Sequence, residues 1–256
     1  PIMQGTLVRY DADMTFVNDL ATDYSLSEDG LVWTFKIRED AYFTDGQQVT
    51  AKDVAFTLET AKTAMGSVDL TFMDSAMVED DFTVVIKLNT PTFWFLNTLA
   101  SVGVIPEHAY SEDYGMNPAV TSGPYKFVEW RSQEQLVLEA NENYYGEVPA
   151  IKNVIIVFMG EDAALAAVQA GQVDAAITSA TLAVNQINGY HIEEISTADC
   201  RGFTLPVLPA EGKVAQNGAP IGNDVTSQIE IRQAIAYALD RDLIADVALN
   251  GYATPA

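Results

Sequence analysis

Asp11, Asp13 and Thr15 alternate in the way the first ligands of a calcium loop do. Such a loop needs glycine at its sixth position for a sharp turn and a bidentate glutamate at its twelfth. Here those positions hold Phe16 and Thr22, so calcium is not expected. The two histidines, His108 and His191, lie far apart with no His-x-x-x-His spacing and read as surface or loop residues. Nucleophilic catalysis needs a serine or cysteine beside a base. Ser122 precedes Gly123 and Pro124, which favours a turn over a G-x-S-x-G elbow. Cys200 stands alone between Asp199 and Arg201, which excludes a disulfide framework and a thiolate metal cluster. Burial as a small hydrophobe is the ordinary fate of such a residue. The 36 acidic residues offer many carboxylate pairs for glycoside hydrolysis, and without geometry none is nominated.

Nucleotide chemistry finds no better support. The chain has no Walker sequence and no G-x-G-x-x-G. Gly218, Pro220 and Gly222 place a proline where a phosphate cradle needs free N–H groups. Phe93, Trp94 and Phe95 offer aromatic surface for a ligand cleft, although core packing is the expected role of at least two of them. A formal net charge of −23 repels phosphate backbones and anionic membranes, so nucleic acid is not an expected partner. Solubility is the plain reason for such acidity. No run of about 18 apolar residues exists to span a bilayer. No cofactor and no metal is implied.

The elements that would position a site are legible from periodicity. Asp29-Gly30 is a turn dipeptide, after which Trp33, Phe35 and Ile37 alternate with polar residues as a half-buried strand. After a second turn at Asp45-Gly46, Thr50 and Asp53 form the ends of a capping box. The helix it opens puts Val54, Leu58 and Ala61 on one face. A second alternating strand carries Phe82, Val84, Ile86 and Leu88 and stops at Pro91. Thr92 is placed to cap a short helix holding Phe93, Trp94, Phe95 and Leu99.

Beyond Pro106 the character changes to short turns, then two strands at 125–130 and 135–140. Residues 153–159 are a continuous apolar run that predicts a strand buried on both faces. Asp162 is expected to cap a helix that stops at Gly171, and 173–177 is predicted as the next strand. Together they predict a right-handed parallel crossover. A helix at 181–187, strands at 191–195 and 202–207, and two closing helices complete the reading. The closing helices carry Ile231, Ile235 and Leu239, then Leu243, Ile244 and Val247. At 256 residues, about two domains of mixed α/β character are expected, with boundaries near Pro106 and Pro209.

Several passages then resemble one family in order. Ser27-Glu-Asp-Gly-Leu-Val-Trp-Thr-Phe-Lys-Ile-Arg38, Phe43-Thr-Asp-Gly46 and Thr50-Ala-Lys-Asp-Val54 open the match. Asp81-Phe-Thr-Val-Val85, Ile105-Pro-Glu-His108, Ser122-Gly-Pro-Tyr-Lys-Phe127 and Leu138-Glu-Ala-Asn-Glu-Asn-Tyr-Tyr145 continue it. Ala170-Gly-Gln-Val-Asp174 and Ile231-Arg-Gln-Ala-Ile-Ala-Tyr-Ala-Leu-Asp-Arg241 close it. The sequence resembles the extracellular solute-binding proteins of peptide and nickel ABC transporters, family 5.

The resemblance implies an α/β periplasmic-binding-protein-like fold of the type II, peptide-binding cluster, with mixed sheets and flanking helices. Its two lobes close on a solute about a hinge. It implies a smaller lobe segment at 1–105, a basal segment at 106–208 and the start of the second lobe at 209–256. It further implies a fragment, lacking an N-terminal segment and the C-terminal half of the family's chain. The expected activity is capture of an oligopeptide or dipeptide and its delivery to the permease subunits, without turnover. A nickel-complex receptor is the alternative, and a carboxylate-pair hydrolase is the reading from another class.

By the same resemblance, the solute would meet Met3, Thr6, Ser101, Val102, Gly103, Thr121 and Ser122, with Arg201 and Phe203 as further candidates. A guanidinium at Arg201 suits a solute carboxylate. Nickel-binding relatives hold their complex with an arginine near the crossing between lobes, and residues 101–104 contain none. The implied setting is the bacterial periplasm or outer face of the cell membrane, as a monomer tethered by an N-terminal lipid anchor.

Overall fold

A computed structural model describes residues 2–64, 68–179, 182, 187–195, 202–215 and 218–255. The chain divides into two compact units, Pro1–Phe158 and Met159–Ala256.

The first unit is built on a four-stranded antiparallel sheet. Strands β1 (Val8–Tyr10) and β2 (Phe16–Asn18) form a small ribbon beside it. The sheet proper takes β3 (Ala21–Leu26), β4 (Val32–Ile37), β5 (Met73–Asp80) and β6 (Thr83–Leu88) in the order β3-β4-β6-β5. Trp33, Phe35 and Ile37 of β4 are buried, as are Val84, Ile86 and Leu88 of β6, so the period of two maps onto the buried face. Helix α1 (Ala51–Thr63) covers that face with Val54 and Leu58, and Ala61 packs at its margin. Its start is fixed as the capping-box residues predict. The Asp53 carboxylate accepts from the Thr50 N–H at 2.9 Å and the Thr50 hydroxyl at 3.0 Å.

Helix α2 (Phe95–Ser101) starts later than expected, with Trp94 rather than Thr92 at its N-terminal boundary. Of the three aromatics there, only Phe95 enters the core; Phe93 is 92% exposed and Trp94 is exposed too. The expectation that two of them are core residues is therefore corrected. Phe93 and Trp94 precede the helix, whose buried face carries Phe95, Leu99 and Ala100.

A second sheet is a meander of β7 (Tyr125–Arg131), β8 (Gln135–Ala140) and β9 (Asn153–Val157), antiparallel throughout. Residues 106–158 belong to the same compact unit as 1–105 because the polypeptide returns to its own beginning. The Gly123 N–H donates to the Met3 carbonyl at 2.7 Å, and the Thr44 N–H to that of Thr121 at 2.8 Å.

The run at 153–159 departs from expectation. It forms β9 at a sheet edge rather than a strand buried on both faces, and Ile155 is 59% exposed. Apolar content makes a strand able to be buried, but only a covering element buries it.

In the second unit, α3 (Glu161–Gln169) starts from Gly160, with Asp162 inside its first turn rather than capping it. It does stop at Gly171, whose φ of 67° closes the helix through a Gly171 N–H to Val168 carbonyl bond. Residues 173–177, 191–195 and 202–207 are not strands, so the predicted parallel crossover is not formed among the described residues. Ile177, 96% exposed, shows the reason: a strand needs an edge to pair with, and these segments have found none. The helix expected at 181–187 falls largely outside the described residues. Helices α4 (Ile229–Ala238) and α5 (Arg241–Ala248) form as expected. Asp240 caps α5 through the Leu243 N–H at 2.9 Å, and positive φ at Asn250 and Gly251 ends the pair.

Candidate functional site

The N-terminal segment, residues 2–6, is the axis of the candidate site. It is gripped from two sides by backbone bonds. On one side the Val104 N–H donates to the Gly5 carbonyl at 2.8 Å. On the other, the Gly123 and Tyr125 N–H groups donate to the Met3 and Ile2 carbonyls, and the Gly5 N–H donates to the Ser122 hydroxyl at 3.1 Å. Glycine is required at two flanking positions. A Cβ on Gly103 would sit 2.8 Å from that of Gln4, and one on Gly123 would strike the Met3 backbone.

Seven of the nine expected residues are thus brought together, and they divide by accessibility. Thr6, Val102, Thr121 and Ser122 are buried and offer no side-chain surface to a solute in this arrangement. They frame the segment: Ser122 through Gly5, and Thr121 through its N–H, which donates to the Thr44 hydroxyl at 3.1 Å. The Thr121 hydroxyl is buried without a hydrogen-bond partner among the described residues. Met3, Gly103 and Ser101 keep accessible surface. The Ser101 hydroxyl turns back to donate to the Thr98 carbonyl at 2.7 Å. Arg201 lies outside the described residues. Phe203 belongs to the second unit, where it is 76% exposed.

Sequence reasoning missed the residues that hold this segment. Gln4 lies against Gly103 and near Tyr114, whose phenol burial pushes up to about 12 against the lowering influence of Gln4. The Tyr114 hydroxyl donates to the Val120 carbonyl at 2.6 Å. Asn141, buried, donates to the Gly123 carbonyl at 3.0 Å. The Asp19 carboxylate accepts from the Thr6 N–H at 2.8 Å, the Thr6 hydroxyl at 3.1 Å and the Tyr145 hydroxyl at 2.9 Å. Burial, with Asp19 close by, pushes the Tyr145 phenol far above its ordinary value. Only Asn141 and Tyr145 had a signal, since both fall in the passage that ends at Tyr145.

The other chemistry-bearing residues are committed elsewhere. Asp11 closes its own turn by accepting from the Asp13 and Thr15 N–H groups and the Thr15 hydroxyl. Those Thr15 bonds lower its pKa. His108 pairs with Asp45 at 2.7 Å. No cluster of three or more metal-ligating side chains occurs among the described residues. A surface depression of about 690 Å³ is open and lined by Asn18, Asp19, Arg38 and neighbours; none of the expected site residues lines it. Of residues 3–5 and 101–103, Met3, Gln4, Ser101 and Gly103 keep accessible surface, and all four are neutral. Such a surface can hold a solute by hydrogen bonds to main-chain and amide groups.

The family model for bacterial extracellular solute-binding proteins, family 5 middle, matches residues 15–256. The chain belongs to this family. The glutathione-binding protein GsiB of Pectobacterium atrosepticum is 29% identical over 98% of the chain and 48% of its own length. NikZ from Campylobacter jejuni, solved with Ni(L-His), is 26% identical with a TM-score of 0.77 over 99% of this chain and 51% of that one. DppA from Helicobacter pylori, solved with the peptide STSA, is 25% identical with a TM-score of 0.55, covering 67% of this chain and 40% of that one. The family-5 chain thus spans about half the length of the relatives it matches. The periplasmic-binding-protein-like fold expected from the sequence is that of these neighbours. No helix among the described residues is long and apolar enough to cross a membrane.

Proposed function

We propose that this chain forms part of the solute-capturing receptor of a bacterial ABC importer, with a dipeptide or oligopeptide as solute. The observation that carries the reading is that Gln4 lies against Gly103 and Met3 against Gly123 in a family-5 chain. Thr6, Val102, Thr121 and Ser122 frame that seat, and Arg201 and Phe203 are the further residues proposed for the solute. A neutral, backbone-rich wall suits the main chain of an extended peptide. Residues 1–105, 106–208 and 209–256 are assigned to the smaller lobe, the basal domain and the start of the second lobe. Closure of the lobes on the solute produces the form that docks on the permease. The receptor works as a monomer on the outer face of the membrane or in the periplasm, held by an N-terminal lipid anchor.

A nickel complex is the second reading, favoured by the likeness to NikZ, which was solved with Ni(L-His). The absence of arginine at 101–104 counts against it. Thermal unfolding of the full-length gene product separates the two. A ligand at about 100 times its Kd stabilises by roughly 2.7 kcal/mol, a visible shift. We expect a rise in Tm with one or more di- to hexapeptides. A rise with nickel–histidine and with no peptide would replace the leading reading by the second.

A further inference from the structure

One side chain outside the solute seat determines where the seat's central segment lies. Tyr145 comes from the loop after β8, more than a hundred residues from Gly5, yet its hydroxyl occupies the space a Cβ on residue 5 would need. That hydroxyl donates to Asp19 Oδ1, while the other carboxylate oxygen receives both the Thr6 N–H and the Thr6 hydroxyl. One carboxylate therefore ties the Gly5–Thr6 bend to Tyr145. The phenol ring is itself held. The Arg38 guanidinium lies over it at 4.5 Å and donates to the Tyr145 carbonyl at 3.2 Å and the Asp19 carbonyl at 3.4 Å. Asp40 fixes the guanidinium from its outer side at 2.6 and 2.9 Å.

Three of these bonds reach backbone directly: the Thr6 N–H to Asp19, and Arg38 to the Asp19 and Tyr145 carbonyls. The segment it fixes continues directly into Gln4 and Met3, whose pose defines the seat. We infer that Tyr145 is a positioning residue for solute capture, acting through Asp19 on the Gly5–Thr6 bend and so on Gln4. The inference rests on the seat proposed above. Nothing in it requires Tyr145 to touch the solute.

The test is Tyr145→Phe in the full-length gene product, which keeps the ring, its packing and the Arg38 contact and removes the hydroxyl that donates to Asp19. Amide hydrogen exchange without ligand is the first readout. We expect the Gly5 and Thr6 amides to exchange about tenfold faster, while amides of β4 and β6 keep their rates. Affinity for di- to hexapeptides, measured by calorimetry well below Tm, is the second, with a loss of about tenfold expected. Val84→Ala serves as the control: it lowers Tm through the core and leaves peptide affinity alone. Asp19→Asn should resemble Tyr145→Phe, because an amide cannot accept at both oxygen positions. If Tyr145→Phe lowers Tm but moves neither exchange nor affinity, the residue is structural only and the inference fails. If Gln4→Ala leaves the affinity of every bound peptide unchanged, the seat is elsewhere and the underlying reading fails. The exchange readout needs no ligand and still decides the role of Tyr145 at the bend.

Discussion

Asp53 shows how one side chain can serve two levels of the structure. Oδ2 closes the first turn of α1 by accepting from Thr50, and Oδ1 accepts from the Glu107 N–H at 3.0 Å, where the chain leaves the first sheet. Asp53→Ala removes a cap and leaves two N–H groups short of an acceptor. We expect a loss of about 2–3 kcal/mol, read from the denaturant midpoint, with Asp53→Asn losing less. The local half of this role was legible in the spacing of Thr50 and Asp53. The long-range half was not, because nothing in a sequence marks which distant N–H a carboxylate will meet. The same limit explains the site. Glycines at 103 and 123 were visible as letters, but Gln4 and Asp19 acquire their roles only when residues 2–6 lie between 101–104 and 122–125.

At the scale of elements, periodicity was informative where a helix or neighbouring strand completes the pattern. The strands carrying Trp33 and Val84 and the helix carrying Leu58 form with the buried faces their spacing indicates. Residues 173–177 and 202–207 have strand-like composition and remain irregular, since strand formation needs a partner edge that composition cannot supply. β9 sits between these cases, paired on one edge and apolar on both faces. Such an edge favours self-association. In this 256-residue chain, Ile155→Lys should reduce concentration-dependent light scattering while changing stability by no more than about 0.5 kcal/mol. A large loss of stability would mean that Ile155 is covered in solution.

Across the whole molecule, charge sets a condition on stability that no single contact does. A net charge of −23 on 256 residues repels itself, and ion pairs such as Lys126–Glu139 and Lys152–Glu142 are exposed and weak. Raising sodium chloride from about 0.05 M to about 1 M shortens the screening length to about 3 Å. Tm should therefore rise with salt; a fall would show that surface pairs outweigh the repulsion. The acidity was plain in the composition, whereas its purpose was not, because solubility and partner choice leave the same imprint. The central claim is that a solute sits against Met3, Gln4, Ser101 and Gly103. The most direct test is amide exchange on the full-length gene product, with and without a peptide that raises its Tm. We expect protection of the amides of residues 3–5 and 101–104 on binding. Protection confined to other segments, with these amides unchanged, would contradict it.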